Sequence, residues 1–173
     1  RAAGARINSM LKEGLIVKSI GVSAHGSAPE AGKNAIGQML AYLATLGLGH
    51  TEMEEFISLL NNKIGMETRG ETIGIALEDK LSGKLTLNLG MVKIDGSSGR
   101  AVMDIRYPVS CEGEQLLAAI EAAVCEFGVK VKVLEHRKPL YLPEDHFLVQ
   151  TLKRVYTKQT GQPAYTIAIG GGT

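Results

Sequence analysis

The feature that most constrains this chain is the alternation in residues 84–108, "KLTLNLGMVKIDGSSGRAVMDIRYP". Leu85, Leu87 and Leu89 alternate with Thr86 and Asn88, the period-two pattern of a strand with one buried face. "DGSSG", residues 95–99, supplies glycine and turn-forming polar residues. The returning segment sets Ala101, Met103, Ile105 and Tyr107 on one face and Val102, Asp104 and Arg106 on the other. Pro108 ends it, because proline has no N–H to give a ladder. A hairpin with one apolar face must be covered, and the flanking segments offer the cover.

Pro29 and Asn34 signal a helix start, with Ile36, Met39, Leu40 and Leu43 at helical spacing as far as Leu46, and Gly47 as a stop. Thr51 and Glu54 have the spacing of a capping box, ahead of a short helix with Phe56, Leu59 and Leu60 inward. Ser110 can cap a helix from Glu112 to Phe127, with Leu116, Leu117, Ile120 and Val124 on one face and Gly128 after it. "GLIVKSIGV" (14–22) and "VKVKVLE" (129–135) read as strands. The order strand, helix, two strands, helix, strand predicts an α+β fold. It is a split βαβ (ferredoxin-like) two-layer sandwich, an antiparallel sheet with helices on one face.

The character changes near Lys138, where a domain boundary divides residues 1–138 from 139–173. Pro139 and Pro143 bracket an extended connector. Asp145 reads as the N-cap of a helix to Thr160 with Leu148, Leu152, Val155 and Tyr156 inward, stopped by Gly161 and Pro163. "YTIAI" (165–169) reads as a short buried strand running into "GGGT".

Composition narrows the function classes. Hydrophobic residues are 45% and charged residues 21%, with a formal net charge of +1, which suits a globular protein. No basic or acidic block marks a nucleic-acid or membrane-surface binder, and 5% aromatics without Trp argue against base stacking. No apolar run reaches the roughly 18 residues of a membrane span. Cys111 and Cys125 lack metal-ligand spacing and read as reduced thiols of a cytoplasmic protein. The chain begins at Arg1 and stops inside a Gly-rich turn, which reads as a fragment.

No H-x-D, H-E-x-x-H, G-x-S-x-G or P-loop pattern is present. His50, His136 and His146 are scattered among acidic or polar neighbours and read as solvated or locally paired. No metal ligand is assigned. Three features remain. His25 follows a strand in a Ser/Ala/Gly setting that lets a partner approach. Arg106 ends another strand, and arginine grips a carboxylate with two parallel hydrogen bonds. Gly170 to Thr173 form a turn whose N–H groups can face an anion. Taken from the residues alone, each keeps a plain alternative: a loop histidine bonded to backbone, an Arg106–Asp104 pair on one strand face, and an ordinary turn.

"SAHGSAPEAGKNAI" (23–36) resembles the lid-domain motif of the co-catalytic di-zinc metallopeptidases, which include aminoacylase, carboxypeptidase and the dipeptidases. "DIRYP", "PLYLPEDHFLVQTLKRVYTKQTGQ" and "IAIGGGT" follow in the order of its PepV-type dipeptidase branch, so the resemblance runs from about Leu15 to Thr173. It implies that residues 1–138 are a lid and 139–173 a returning helix–strand piece of an α/β catalytic domain. His25 matches the lid histidine that stabilises the tetrahedral oxyanion, as a catalytic residue. Arg106 matches the arginine that holds the substrate's C-terminal carboxylate, and Gly170, Gly171, Gly172 and Thr173 match a loop lining the substrate cleft. Two zinc ions, with ligands outside this chain, would supply the hydroxide. The implied partners are a short peptide substrate and the rest of the catalytic domain, and the 173-residue chain alone is expected to be inactive. Two other readings stay open. One is a deacylase of the same family (succinyl-diaminopimelate desuccinylase or acetylornithine deacetylase). The other is a non-catalytic module that forms a homodimer, as many lids do.

Overall fold

The computed structural model describes residues 5–11, 14–49 and 51–171. The hairpin forms as the alternation predicts: strand β5 (Thr86–Ile94) pairs antiparallel with β6 (Gly99–Arg106), Leu87 opposite Ile105 and Leu89 opposite Met103. Leu85, Leu87 and Leu89 are 0%, 0% and 2% exposed. The register then shifts between Leu89 and Met91. One extra residue, Gly90, reverses the alternation, so Met91 turns to solvent while Val92 and Ile94 continue the core face. Asp95 closes the turn, its Oδ1 accepting from the N–H groups of Ser97 and Ser98 at 3.0 and 2.9 Å.

Three helices cover the apolar face. Helix α1 (Ala35–Leu43) brings Leu40, α2 (Glu52–Lys63) brings Ile57, Leu59 and Leu60, and α3 (Gly113–Val124) brings Leu116, Ile120 and Val124. Ile57 takes the place expected of Phe56, which is only partly buried against the same core. Asn34 caps α1 and ties it to the sheet. Its Oδ1 accepts from Ile36 N–H at 2.9 Å, and its Nδ2 donates to the Leu89 carbonyl at 2.9 Å. Thr51 caps α2 through Glu54 N–H at 3.2 Å.

Ser110 does not cap α3. The N-cap is Glu112, which makes no side-chain capping bond. The Ser110 N–H instead goes to Asp79 Oδ2 at 3.2 Å. Asp79 ends β3 (Glu78–Asp79), which pairs with the equally short β4 (Gly83–Lys84), and also accepts from the Leu81 N–H and from the backbone and hydroxyl of Ser82. These donors, the Ser82 backbone foremost, hold its carboxyl well below the usual carboxylate range. A depressed acid stabilises the fold fully above its unfolded pKa and loses that contribution as pH falls through the folded value. The urea midpoint of the chain is therefore expected to fall as pH drops below about 4. Asp79→Asn should lower the midpoint at neutral pH and flatten this acid slope. An unchanged slope would remove Asp79 from that role.

The fold is α+β, with small antiparallel sheets and helices on one face of β5–β6, compatible with a ferredoxin-like lid piece. Its outer strands differ from expectation. Strand β2 (Gly14–Ser19) stops short of Val22 and pairs with β1 (Ala5–Leu11), a segment that the sequence left unassigned. Val22 instead exchanges two backbone hydrogen bonds with Lys33. Residues 129–135 form no strand. Val129 and Val131 lean on the core, and side chains tie down the residues just after the segment: the Tyr107 hydroxyl and His136 Nε2 lie 2.6 Å apart, and Lys138 pairs with Glu112 at 3.2 Å. Gly128, at φ 65°, ends the turn that extends α3.

Helix α4 (Phe147–Thr160) lies where expected, but His146, not Asp145, is its N-cap, accepting from Leu148 N–H at 3.3 Å. Leu148, Leu152, Val155 and Tyr156 are exposed rather than inward, because no layer faces them among the described residues. Residues 165–169 are likewise no strand, and Ile167 is 81% exposed. No helix among the described residues is long and apolar enough to cross a membrane.

Candidate functional site

The loop after β2 is narrow because the Val22–Lys33 bridge pinches residues 22–33 together. A turn within it, Ala28 N–H to His25 carbonyl at 2.9 Å, carries His25 to the exposed tip. The imidazole is not free to spin. Its Nδ1 accepts from the Ser27 N–H at 3.3 Å and lies 2.8 Å from the Ser27 hydroxyl. Gly26 packs on the outer face of β6, where a Cβ would fall 2.6 Å from Asp104 Oδ2 and 3.5 Å from Arg106 Nη2. The small residues therefore serve a close approach between this loop and β6.

Arg106, the last residue of β6, is held on two sides. Nη2 pairs with Asp104 Oδ2 at 3.0 Å, and Nη1 donates to the Gly170 carbonyl. Gly170 in turn lies against Ser27, such that a Cβ on it would come within 2.7 Å of the Ser27 Cβ. The three features singled out from the sequence thus meet at one place, His25 and Arg106 beside Gly170. Gly171 makes no such contact, and Gly172 and Thr173 lie outside the described residues. The Asp104 pairing also occurs, so Arg106 enters the site with its charge already partly balanced. Chemically, the site presents a guanidinium and one imidazole edge, both suited to anionic oxygen.

No protein-family model matches the chain. It is 37% identical over 164 residues to the protein named "Putative dipeptidase YtjP" of Bacillus subtilis (strain 168), an alignment covering 92% of this chain and 34% of that protein. A protein of Staphylococcus saprophyticus named "Putative dipeptidase SSP1012" is 29% identical over 160 residues, covering 92% and 34%. One of Staphylococcus haemolyticus, "Putative dipeptidase SH1171", is 28% identical over 167 residues, covering 95% and 35%. The chain spans about a third of the length of these relatives.

Away from this place the other described histidines make local contacts. His136 stacks on Tyr107 with ring centroids 6.1 Å apart, and His146 caps α4. His50 lies outside the described residues. Burial pushes the Tyr107 hydroxyl and the Cys111 thiol up, which keeps both protonated. No group of three or more His, Cys, Asp or Glu among the described residues is placed to share a metal ion. Sequence reading missed Ser27 and the packing role of Gly26. The available signal was the spacing in "HGS", a hydroxyl two residues from the imidazole, which suits a local side-chain turn.

Proposed function

We propose that this chain is lid and cleft-lining substructure of a dipeptidase that hydrolyses short peptides with a free C-terminus. Residues 1–138 form the lid and 139–173 a returning segment of the catalytic domain. The observation that carries this reading is the convergence of His25, Arg106 and Gly170 from three segments distant in sequence. Dipeptidase names among relatives aligned over 92% of the chain support it. The exposed apolar stripe of α4 is the face that the rest of the catalytic domain would cover. The two free thiols fit a cytoplasmic protein.

Arg106 receives the peptide's C-terminal carboxylate, which takes the place of the Gly170 carbonyl on the guanidinium, while Asp104 keeps the fork oriented. Charge-assisted bonds of this kind are about twice as strong as neutral ones, so the exchange favours substrate. His25 presents its outer nitrogen to the oxyanion that forms at the scissile carbonyl. The described residues do not fit a metal site. The two zinc ions of the resemblance would take their ligands outside this chain, and no step here runs through them.

The test is turnover by the full-length protein of a dipeptide and of its C-terminal amide. The amide is expected to bind about tenfold or more weaker, the worth of a hydrogen bond to a charged group. Equal turnover of both would refute carboxylate recognition. No turnover of either would refute the dipeptidase reading.

A further inference from the structure

We infer that Ser27 is a positioning residue for His25, holding its imidazole in the tautomer that carries the proton on Nε2. This rests on the reading of His25 as the oxyanion donor, but the atoms that carry it are local. A neutral imidazole has one N–H and one bare nitrogen. A backbone amide can only donate. The Ser27 N–H lies 3.3 Å from His25 Nδ1 in donating geometry, so Nδ1 is the bare nitrogen and the proton sits on Nε2. With Nδ1 bare, the Ser27 hydroxyl at 2.8 Å is the donor of that second bond. Both donors come from one residue, and the ring is gripped along its Nδ1 edge.

The grip is itself backed. Gly170 is packed against the Ser27 side chain closely enough that it has no room for a Cβ. Gly170 is in turn fixed by Arg106, and Asp104 and Arg106 close the other side of the loop at Gly26. The backbone and Cβ of Ser27 are therefore seated against the segment that meets Arg106. The outcome is an Nε2–H that faces out from an exposed loop tip, with no hydrogen-bond partner of its own among the described residues. A donor of that kind, already in the required protonation state, is what an anionic oxygen needs, because no proton has to relocate before the bond forms. The opposite tautomer would put a bare nitrogen outward, and lone pair would face lone pair.

The experiment is a two-bond proton–nitrogen correlation spectrum of the imidazoles in the ¹⁵N-labelled chain at mildly alkaline pH, for wild type and Ser27→Ala. The alanine keeps the backbone N–H and the Cβ contact with Gly170 and removes only the hydroxyl. Wild-type His25 is expected to show Nδ1 bare and Nε2 protonated. In Ser27→Ala, where the backbone N–H still reaches Nδ1, both nitrogen shifts should move only part of the way toward the average of the two tautomers, while His146, whose grip by the Leu148 N–H is untouched, stays put. A wild-type His25 protonated on Nδ1, or shifts unchanged by the substitution, would overturn the inference. In the full-length protein Ser27→Ala should lower kcat about fivefold, the worth of one net hydrogen bond, with KM unchanged. If the shifts move but His25→Ala leaves turnover intact, the Ser27–His25 coupling stands and the oxyanion reading falls.

Discussion

If the proposed dipeptidase reading holds, replacing His25 by alanine in the full-length protein is expected to lower kcat by about a hundredfold or more, the loss found when one donor to a developing oxyanion is removed. The expectation follows from where the side chain stands. It is exposed at the tip of a pinched loop, its Nδ1 edge is occupied by Ser27, and its outer edge has no partner among the described residues. A donor that gains its partner only as the oxyanion forms contributes to the transition state and little to the ground state, so kcat should fall and KM should stay near its starting value. A histidine that merely shaped the loop would give a different pattern. Its removal would loosen the close approach of Gly26 to Asp104 and Arg106, and KM would rise with it. Steady-state kinetics on one variant separate the two. A glutamine in place of His25 adds a second check, since its amide can donate but is not held by Ser27 in the same way. It should recover only part of the loss.

The fold was legible where periodicity and burial coincide and illegible where hydrogen bonding depends on a distant partner. Leu85, Leu87 and Leu89 announce a one-sided strand, and they are the most deeply buried residues of the hairpin. The shift at Gly90 was invisible, because a bulge is a relation between two strands and Met91 looks no different from Leu89 in a list of apolar residues. The valines of residues 129–135 alternate as a strand does, yet alternation reports half-burial and not which backbone groups pair. Val129 and Val131 obtain their burial by leaning on the core. The apolar stripe of α4 was legible, but its burial was not, because that needs a facing layer. Ser110 illustrates a boundary that residue type alone does not fix: the helix starts at Gly113, with Glu112 as N-cap, and Ser110 lies ahead of it with its backbone N–H on Asp79. In the site, His25, Arg106 and the glycine run each stood out alone. That Arg106 would reach a carbonyl 64 residues away, and Gly170 would back Ser27, is tertiary information.

Replacing Arg106 by alanine is expected to raise KM for a free dipeptide by about ten- to a hundredfold, the range for losing a hydrogen bond to a charged group, and to leave KM for the C-terminal amide nearly unchanged. Both sides of that statement come from the contacts of the guanidinium. Its pairing with Asp104 is half open to water, side chains 30% and 46% exposed, and such pairs contribute little to stability. The variant should therefore stay folded, which the urea midpoint of the chain will show. Its bond to the Gly170 carbonyl is one that a substrate carboxylate would replace, so losing it costs the free protein less than it costs the complex. Lysine at the same position keeps the charge and loses the planar fork; it should recover a minority of the lost affinity, and Asp104 would then compete for a single ammonium. If Arg106→Ala weakens acid and amide alike, the arginine acts by seating residues 166–171 and not by gripping a carboxylate. The acid-to-amide ratio measured in wild type and in the variant decides between these, because a seating role cancels in the ratio and carboxylate recognition does not.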